Sequence, residues 1–262
     1  MNSHNTKKNN SGQPNRDVSQ GIFFFWKEPG ETLAVMLRRF RDTQGLSEDE
    51  KLTYAGRLDP MAEGIVPILV GEARFQKDHM LRASKTYEVD ILLGIGTDTG
   101  DMLGLPTVDL ILNAVKDKNE IEKALLTLSE TVSLPYPNYS SRPVDGKPLF
   151  MHARAKNTVV VPIKNITIYS LELLGVQKVL VGDLLKQAIE TIKKVQGDFR
   201  QSEIIEQWSD LCKKEDSAIV QLVHIKTTVS SGTYMRSVAE KMGELVRMPA
   251  LAYKITRTEV KK

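Results

Sequence analysis

The sequence of 262 residues holds one cysteine, four histidines and few aromatics, with Phe, Trp and Tyr at 6%. A lone Cys212 cannot close an intrachain disulfide, so no disulfide framework organises the fold. His4, His79, His152 and His224 are too scattered to give a zinc-ligand spacing. No apolar run approaches the roughly 20 residues that a bilayer-spanning helix needs. The N-terminus has no apolar core of the signal-peptide kind. No GxxxxGK[ST] occurs, and Gly94 to Asp101 does not match GxGxxG. These absences exclude a stapled secreted scaffold, a membrane-spanning chain and a P-loop enzyme. They make the cytoplasm the expected compartment. Strong charge of one sign is lacking too. Basic residues number 36 against 33 acidic, for a net +3. A strongly basic domain is the usual mark of a nucleic-acid partner, so this balance stands against one until charge is read locally.

What is present suits a globular enzyme. A chain of this length with 41% hydrophobic residues can bury a full core without a metal. Residues 1–19 are rich in Asn, Ser, Gln and Gly without apolar periodicity, and are expected to be a disordered polar tail. Residues 20–262 are expected to form one domain. Ile22 to Trp26 is a short aromatic run that suits a buried strand. Lys27-Glu28-Pro29-Gly30 is a turn signal. Thr32 is placed to cap a helix through Leu33, Met36, Leu37 and Phe40. Further strands are expected over Ile65–Val70, Lys85–Gly94, Val159–Leu174, Ile219–Val229 and Ala252–Val260. Helices are expected over 72–81, 119–129 and 233–246, with one or two more in 183–214. The elements interleave without a strict βαβ series. The expected class is α+β, with a mixed, largely antiparallel central sheet flanked by helices.

Three segments carry residues suited to chemistry. In Gly56-Arg57-Leu58-Asp59-Pro60-Met61-Ala62-Glu63-Gly64 a carboxylate sits in a stiff loop at the edge of an apolar run. A positioned Asp59 can serve as nucleophile or general base; an Asx turn or helix cap uses the same residue type. In Ser230-Ser231-Gly232-Thr233-Tyr234-Met235-Arg236, Arg236 falls in the first turn of a helix, where the dipole disfavours a cation. A carboxylate partner would offset that and be held ionised; an exposed stem lying on the helix is the plain alternative. In Lys85-Thr86-Tyr87 the aromatic and the cation share one face of a strand. That pairing can stack on a base and hold its phosphate, and it also occurs as ordinary half-buried strand packing. Asp98 and Asp101 offer half a metal site at most, and a structured turn is the expected use.

Taken together, GRLDPMAEG, KTYEVDILLG with GTDTGD, YPNYSSRPVDGKPLF and SSGTYMR resemble the TruB-type tRNA pseudouridine synthases, in the family's order. The resemblance runs from Gly21 to Val260. It implies the pseudouridine synthase fold and isomerisation of uridine to pseudouridine at position 55, in the T loop of tRNA. It implies Asp59 as the catalytic aspartate, Arg236 as its arginine partner and Tyr87 as the base-stacking, proton-shuttling tyrosine. Tyr234 belongs to the same uridine pocket. Ile255 falls where the family places an apolar residue against the uracil, with basic Arg257 beyond it. Lys147 falls in an RNA-facing loop, and Lys85 precedes the stacking tyrosine. The reaction changes no oxidation state and transfers no group, so no cofactor or metal is implied. The base must leave its stack, because C5 is out of reach inside an RNA helix. The partner implied is the T arm of tRNA, with no membrane; the sequence carries no oligomerisation signature, and a monomer is the default expectation.

Two departures accompany the resemblance. Tyr54 stands where family members often carry a histidine, five residues before the aspartate. Relatives also usually extend into a small C-terminal RNA-binding domain, and the expectation here is the catalytic domain alone. A pseudouridine synthase with another RNA target, a non-catalytic RNA-binding module and a small-molecule enzyme are the competing classes. Read locally, charge supports an RNA partner. Arg142 to Lys156 and Lys226 to Lys262 are both basic, while the stretch from Asp98 to Glu130 is acidic. Phosphate senses charge within a Debye length of about 8 Å. A polarised molecule with a basic face around the Asp59 cleft is therefore expected.

Overall fold

The computed structural model describes residues 20–261, so the polar tail at 1–19 lies outside the described residues. The first elements are β1 (Gly21–Lys27), α1 (Leu33–Gln44), β2 (Leu52–Tyr54) and β3 (Glu63–Val70), then a 3-10 turn at Gly71–Gln76, α2 (Lys77–Arg82) and β4 (Lys85–Leu93). After a long loop come α3 (Lys118–Ser129), β5 (Ser133–Pro135), β6 (Pro143–Val144), β7 (Lys147–Pro148), α4 (Leu149–Arg154) and β8 (Ile163–Asn165). The remainder is β9 (Ile168–Leu180), α5 (Val181–Ile192), α6 (Gln201–Glu215), β10 (Ile219–Val229), α7 (Met235–Val246) and β11 (Ala250–Val260).

One seven-stranded sheet runs β1-β3-β11-β4-β10-β9, with β2 added on β3. All its pairs are antiparallel except β3 with β11. The sheet is thus mixed and largely antiparallel, as the interleaved pattern implies. Strand alternation sorts side chains to two faces. Val89, Ile91 and Leu93 of β4 pack with Ile121 and Leu125 of α3 and Val238 and Met242 of α7. Leu92 faces the other way, into a second cluster with Leu185 of α5 and Ile204 and Trp208 of α6.

The helix starts are chemically explicit. Thr32 accepts the Val35 amide at the head of α1, and Gly45 ends that helix in the left-handed conformation. Asp117 and Glu120 form a reciprocal capping box at α3. The strand expected over Val159–Leu174 differs. Val159 to Pro162 lies outside any strand, β8 is only three residues, and β9 continues to Leu180. Pro162 has no amide to give a ladder, and the chain re-enters the sheet only at Ile168. The pieces β2, β6 and β7 are too short to show a period in sequence.

Candidate active site

The loop between β2 and β3 is held from beneath by two buried cations. Lys27, at the end of β1, donates to the carbonyls of Glu28 (3.0 Å), Pro60 (3.1 Å) and Ala62 (2.5 Å). Arg257 of β11 donates to the carbonyls of Gly56 (3.2 Å), Arg57 (3.3 Å) and Ile65 (2.6 Å). Both side chains are fully enclosed, at 0% and 1% exposure. Burial pulls Lys27 down to about 8, against the pull of Glu31, Asp59 and Glu63. The Gly30 amide also donates to the Pro60 carbonyl (2.8 Å). The loop is therefore fixed through its backbone, which leaves the Asp59 side chain free to serve something else.

That side chain meets Arg236. The Arg236 Nε donates to Asp59 Oδ2 at 2.8 Å across 177 residues of chain. Its Nη1 donates to the carbonyls of Thr99 (2.8 Å) and Tyr139 (3.4 Å), and its Nη2 to Tyr139 (3.3 Å). Asp101 Oδ2 lies 3.8 Å from the same Nε. Burial of Arg236 would lower its basicity, but Asp59 and Asp101 outweigh it and raise the group further. The two partners differ in access. The Arg236 side chain is 3% exposed and that of Asp59 is 34%. Asp59 Oδ1 has no protein donor among the described residues, so one carboxylate oxygen is held and the other opens outward.

It opens into a cleft of about 820 Å³ lined by Tyr54, Asp59, Lys85, Tyr87, Tyr139, Tyr234, Arg236, Ile255 and Arg257 among others. Tyr87 on β4 and Ile255 on β11 are nearly buried, at 7% and 6%. Tyr234, at the head of α7, packs edge-on against Tyr136 with centroids 5.7 Å apart. Burial raises its hydroxyl above the ordinary range, and the Asp59 charge adds to that. Around the Asp59–Arg236 pair the wall is thus aromatic and apolar, with Tyr87, Tyr234 and Ile255 beside it, a composition that holds a planar polar ring. A flat heterocycle can stack on a tyrosine while a carboxylate reaches its attachment point.

The sequence-selected residues differ in how they meet the cleft. Asp59, Tyr87, Tyr234, Arg236 and Ile255 meet in the cleft with side chains that border its space. Lys85 and Arg257 border it too, but their donors are occupied by protein carbonyls. The Lys85 ammonium bonds to Leu81 and Ala83 oxygens at 2.7 and 2.5 Å, and burial lowers it to about 8, with Arg257 adding to the fall. Tyr54 lies at the rim, its hydroxyl 3.4 Å from Arg57 Nε and its ring 5.5 Å from the Lys77 ammonium. Lys147 does not line the cleft and sits in the β6–β7 hairpin. The Asp98 and Asp101 carboxylates are spent on protein donors. Asp98 takes Leu105 N and Arg200, and Asp101 takes Thr99 Oγ1 and Leu103 N.

Sequence reasoning missed Lys27, whose only signal is a lysine ending an aromatic strand just before Pro and Gly. It also missed Tyr139 and Asp101 as supports of Arg236, although both lie inside quoted motifs. Nothing local points to Arg200, which arrives in the cleft from the α5–α6 junction.

The basic face needs correcting. In the segment from Lys226 onward, Lys226 pairs with Glu88 (3.3 Å), Lys241 with Glu244 (2.8 Å), Lys254 with Glu63 (3.0 Å) and Lys261 with Glu259 (3.6 Å). Arg236 and Arg257 are buried. Glu88 and Glu63 come from neighbouring strands and lie outside a count of this segment, so its free positive charge is lower than that count implies, with Arg247 left exposed and without a carboxylate partner among the described residues.

Comparison with known proteins gives a consistent set of likenesses. The family model for TruB family pseudouridylate synthase (N terminal domain) matches residues 44–191. A tRNA pseudouridine synthase B from Aromatoleum aromaticum is 36% identical over 178 residues, covering 68% of this chain and 55% of that protein. One from Bacillus cereus is 28% identical over 239 residues, covering 91% of this chain and 65% of that protein. The chain thus spans between half and two thirds of the length of these relatives. The solved structure of a Cbf5-Nop10-Gar1 complex aligns with a TM-score of 0.56 at 16% identity, covering 98% of this chain and 55% of that one. That likeness concerns the fold.

Proposed function

The chain belongs to the TruB family of pseudouridylate synthases, and from that premise we propose that it isomerises uridine to pseudouridine at position 55 in the T loop of tRNA. The observation that carries this reading is the Asp59–Arg236 pair at 2.8 Å, opening into an aromatic cleft. The target nucleotide leaves its stack and enters the cleft. Its uracil lies against Tyr87 and Ile255. The C1′–N1 bond breaks, the ring turns, C5 bonds to C1′, and the proton lost from C5 is matched by one gained at N1, with Tyr87 as the group proposed to take part in the transfer from C5. Asp59 supplies the carboxylate, and Arg236 holds it by one oxygen while leaving the other toward the substrate. Such positioning is worth several orders of magnitude when the reacting groups are held at near-attack distance. Nothing is oxidised or transferred to a second molecule, so the reaction calls for no cofactor. The partner is the T arm of tRNA, engaged by a monomer in the cytoplasm. No described helix is long and apolar enough to cross a membrane.

The test is incubation with an unmodified tRNA transcript, followed by carbodiimide mapping of pseudouridine. A single new stop at uridine 55 is expected. Asp59→Asn should abolish it while filter binding keeps tRNA affinity within about threefold, since the carboxylate acts in the chemistry and not in phosphate contact. A stop elsewhere with uridine 55 untouched would give the enzyme another target. Absence of pseudouridine at every uridine would sink the reading.

A further inference from the structure

β9 and β10 are consecutive antiparallel partners, a pair that a tight hairpin usually joins. Here residues 181–218 intervene as the helical hairpin α5–α6. The family match ends at residue 191, so the α5–α6 junction and α6 lie outside the matched residues. This hairpin is anchored to the sheet by Leu185, Ile204 and Trp208. Its junction does not stay at the periphery: Asp198, Phe199 and Arg200 line the same cleft as Asp59.

Arg200 makes two contacts there. Its Nη1 donates to Asp98 Oδ2 at 2.8 Å, and its guanidinium lies 4.5 Å from the centre of the Tyr139 ring. Each contact lands beside a group that holds Arg236. Thr99, next to Asp98, gives its carbonyl to Arg236 Nη1, and Tyr139 gives its own carbonyl to Nη1 and Nη2. The fully buried Trp208 of α6 grips the same loop through the Met102 carbonyl at 3.1 Å. Arg200 also holds a left-handed backbone, φ 64°, which a residue with a side chain adopts at a cost. The junction is tied down to keep it there. Gln201 Nε2 donates to the Val195 and Gly197 carbonyls, and its Oε1 accepts the Phe199 amide.

We propose that the α5–α6 hairpin is a working part of the active site, and that Arg200 is a positioning residue that sets the Arg236–Asp59 pair by bracing the two loops whose carbonyls grip Arg236. The catalytic part of this inference rests on the pseudouridine synthase reading above; the structural part does not.

The experiment compares wild type with Arg200→Ala and Arg200→Lys in two readouts. The first is single-turnover pseudouridine formation at saturating tRNA, with Kd measured separately. Arg200→Ala is expected to lower the rate about tenfold, the scale of a small misplacement of a catalytic group, while Kd moves less than about twofold. Arg200→Lys keeps a charge for Asp98 but no flat surface for Tyr139, and is expected to fall between. The second readout is solvent exchange of the Arg236 Nε–H in the free protein by NMR. It should speed up in Arg200→Ala and recover partly in Arg200→Lys. A weakened Kd at full rate would make Arg200 an RNA contact and overturn the proposal. Unchanged rate and unchanged exchange would overturn it as well. If wild type forms no pseudouridine, the functional reading fails by itself, and the Arg236 exchange still decides what Arg200 does.

Discussion

Asp101 sits 3.8 Å from Arg236 Nε and is 4% exposed, yet it does not take the closer place that Asp59 holds. Burial pushes its carboxyl up to about 6 from the ordinary 3.8, with the Asp59 charge adding and the Arg236 charge opposing. A folded-state value above the unfolded one means that the folded protein binds the proton more tightly. The stability tied to this group is complete below pH 3.8 and is lost as pH rises through about 6. At neutral pH an ionised Asp101 costs roughly 3 kcal/mol, a cost carried in order to balance the buried Arg236. Against an Asp101→Asn reference, wild type should therefore gain about 1 kcal/mol between pH 8 and pH 5, read by urea unfolding at the two values. A gap that stays constant with pH would mean that Asp101 does not titrate there. The sequence offers the Asp59–Arg236 pairing through motif and helix position. It does not offer this one, because Asp101 acquires its character from enclosure by distant strands and not from its neighbours in the chain.

At the scale of elements, the site depends on the single parallel contact in the sheet, where Gly64 of β3 pairs with Arg257 of β11. Gly64 has φ +118°, and a Cβ there would lie 2.6 Å from the Arg257 amide nitrogen and closer still to its carbonyl oxygen. Backbone occupies that space, so nothing flexible can yield. Gly64→Ala should cost more than about 4 kcal/mol, or prevent folding outright, because it forces apart the strands that carry the Asp59 loop and its Arg257 clamp. Urea denaturation of the variant checks this, and a midpoint near wild type would refute the close crossing. Elements with a sustained period were legible in the sequence. The alternation of Lys85–Ile91 and Ile219–Val229 and the apolar stripe of Val238 and Met242 match β4, β10 and α7 closely. The α5–α6 hairpin shows the opposite case. Its helices are visible as mixed-charge periodic stretches, but where its junction lands follows from the sheet on which the helices pack. Local pattern carries no such information.

Across the whole molecule, the same distinction applies to charge. A count along the chain places positive charge in both Arg142–Lys156 and Lys226–Lys262. Folding reduces the second, because neighbouring strands bring Glu88 and Glu63 from outside the segment within reach of Lys226 and Lys254, while Lys241 and Lys261 pair with the segment's own Glu244 and Glu259. In the first segment Arg154 pairs with Asp198 at 3.2 Å, Arg142 lies 5.3 Å from the Tyr136 ring centre, and Lys147 and Lys156 have no carboxylate partner among the described residues. Lys147 stands on the β6–β7 hairpin and Lys156 just after α4, whose Phe150 and Arg154 line the cleft. Long-range attraction of an RNA backbone should therefore come from the 142–156 segment. Each phosphate neutralised adds about 0.7 to 0.9 to the slope of log affinity against log salt. Lys147→Ala combined with Lys156→Ala should weaken tRNA binding and flatten that slope by about 1 or more, if each lysine meets a phosphate. Lys226→Ala combined with Lys254→Ala should leave affinity within about twofold, because those ammonium groups are already matched by carboxylates. Filter binding across a salt series separates the two pairs. Equal losses in both would restore the second segment to the RNA-facing surface. A loss confined to Lys226 and Lys254 would put the RNA on the other side of the sheet.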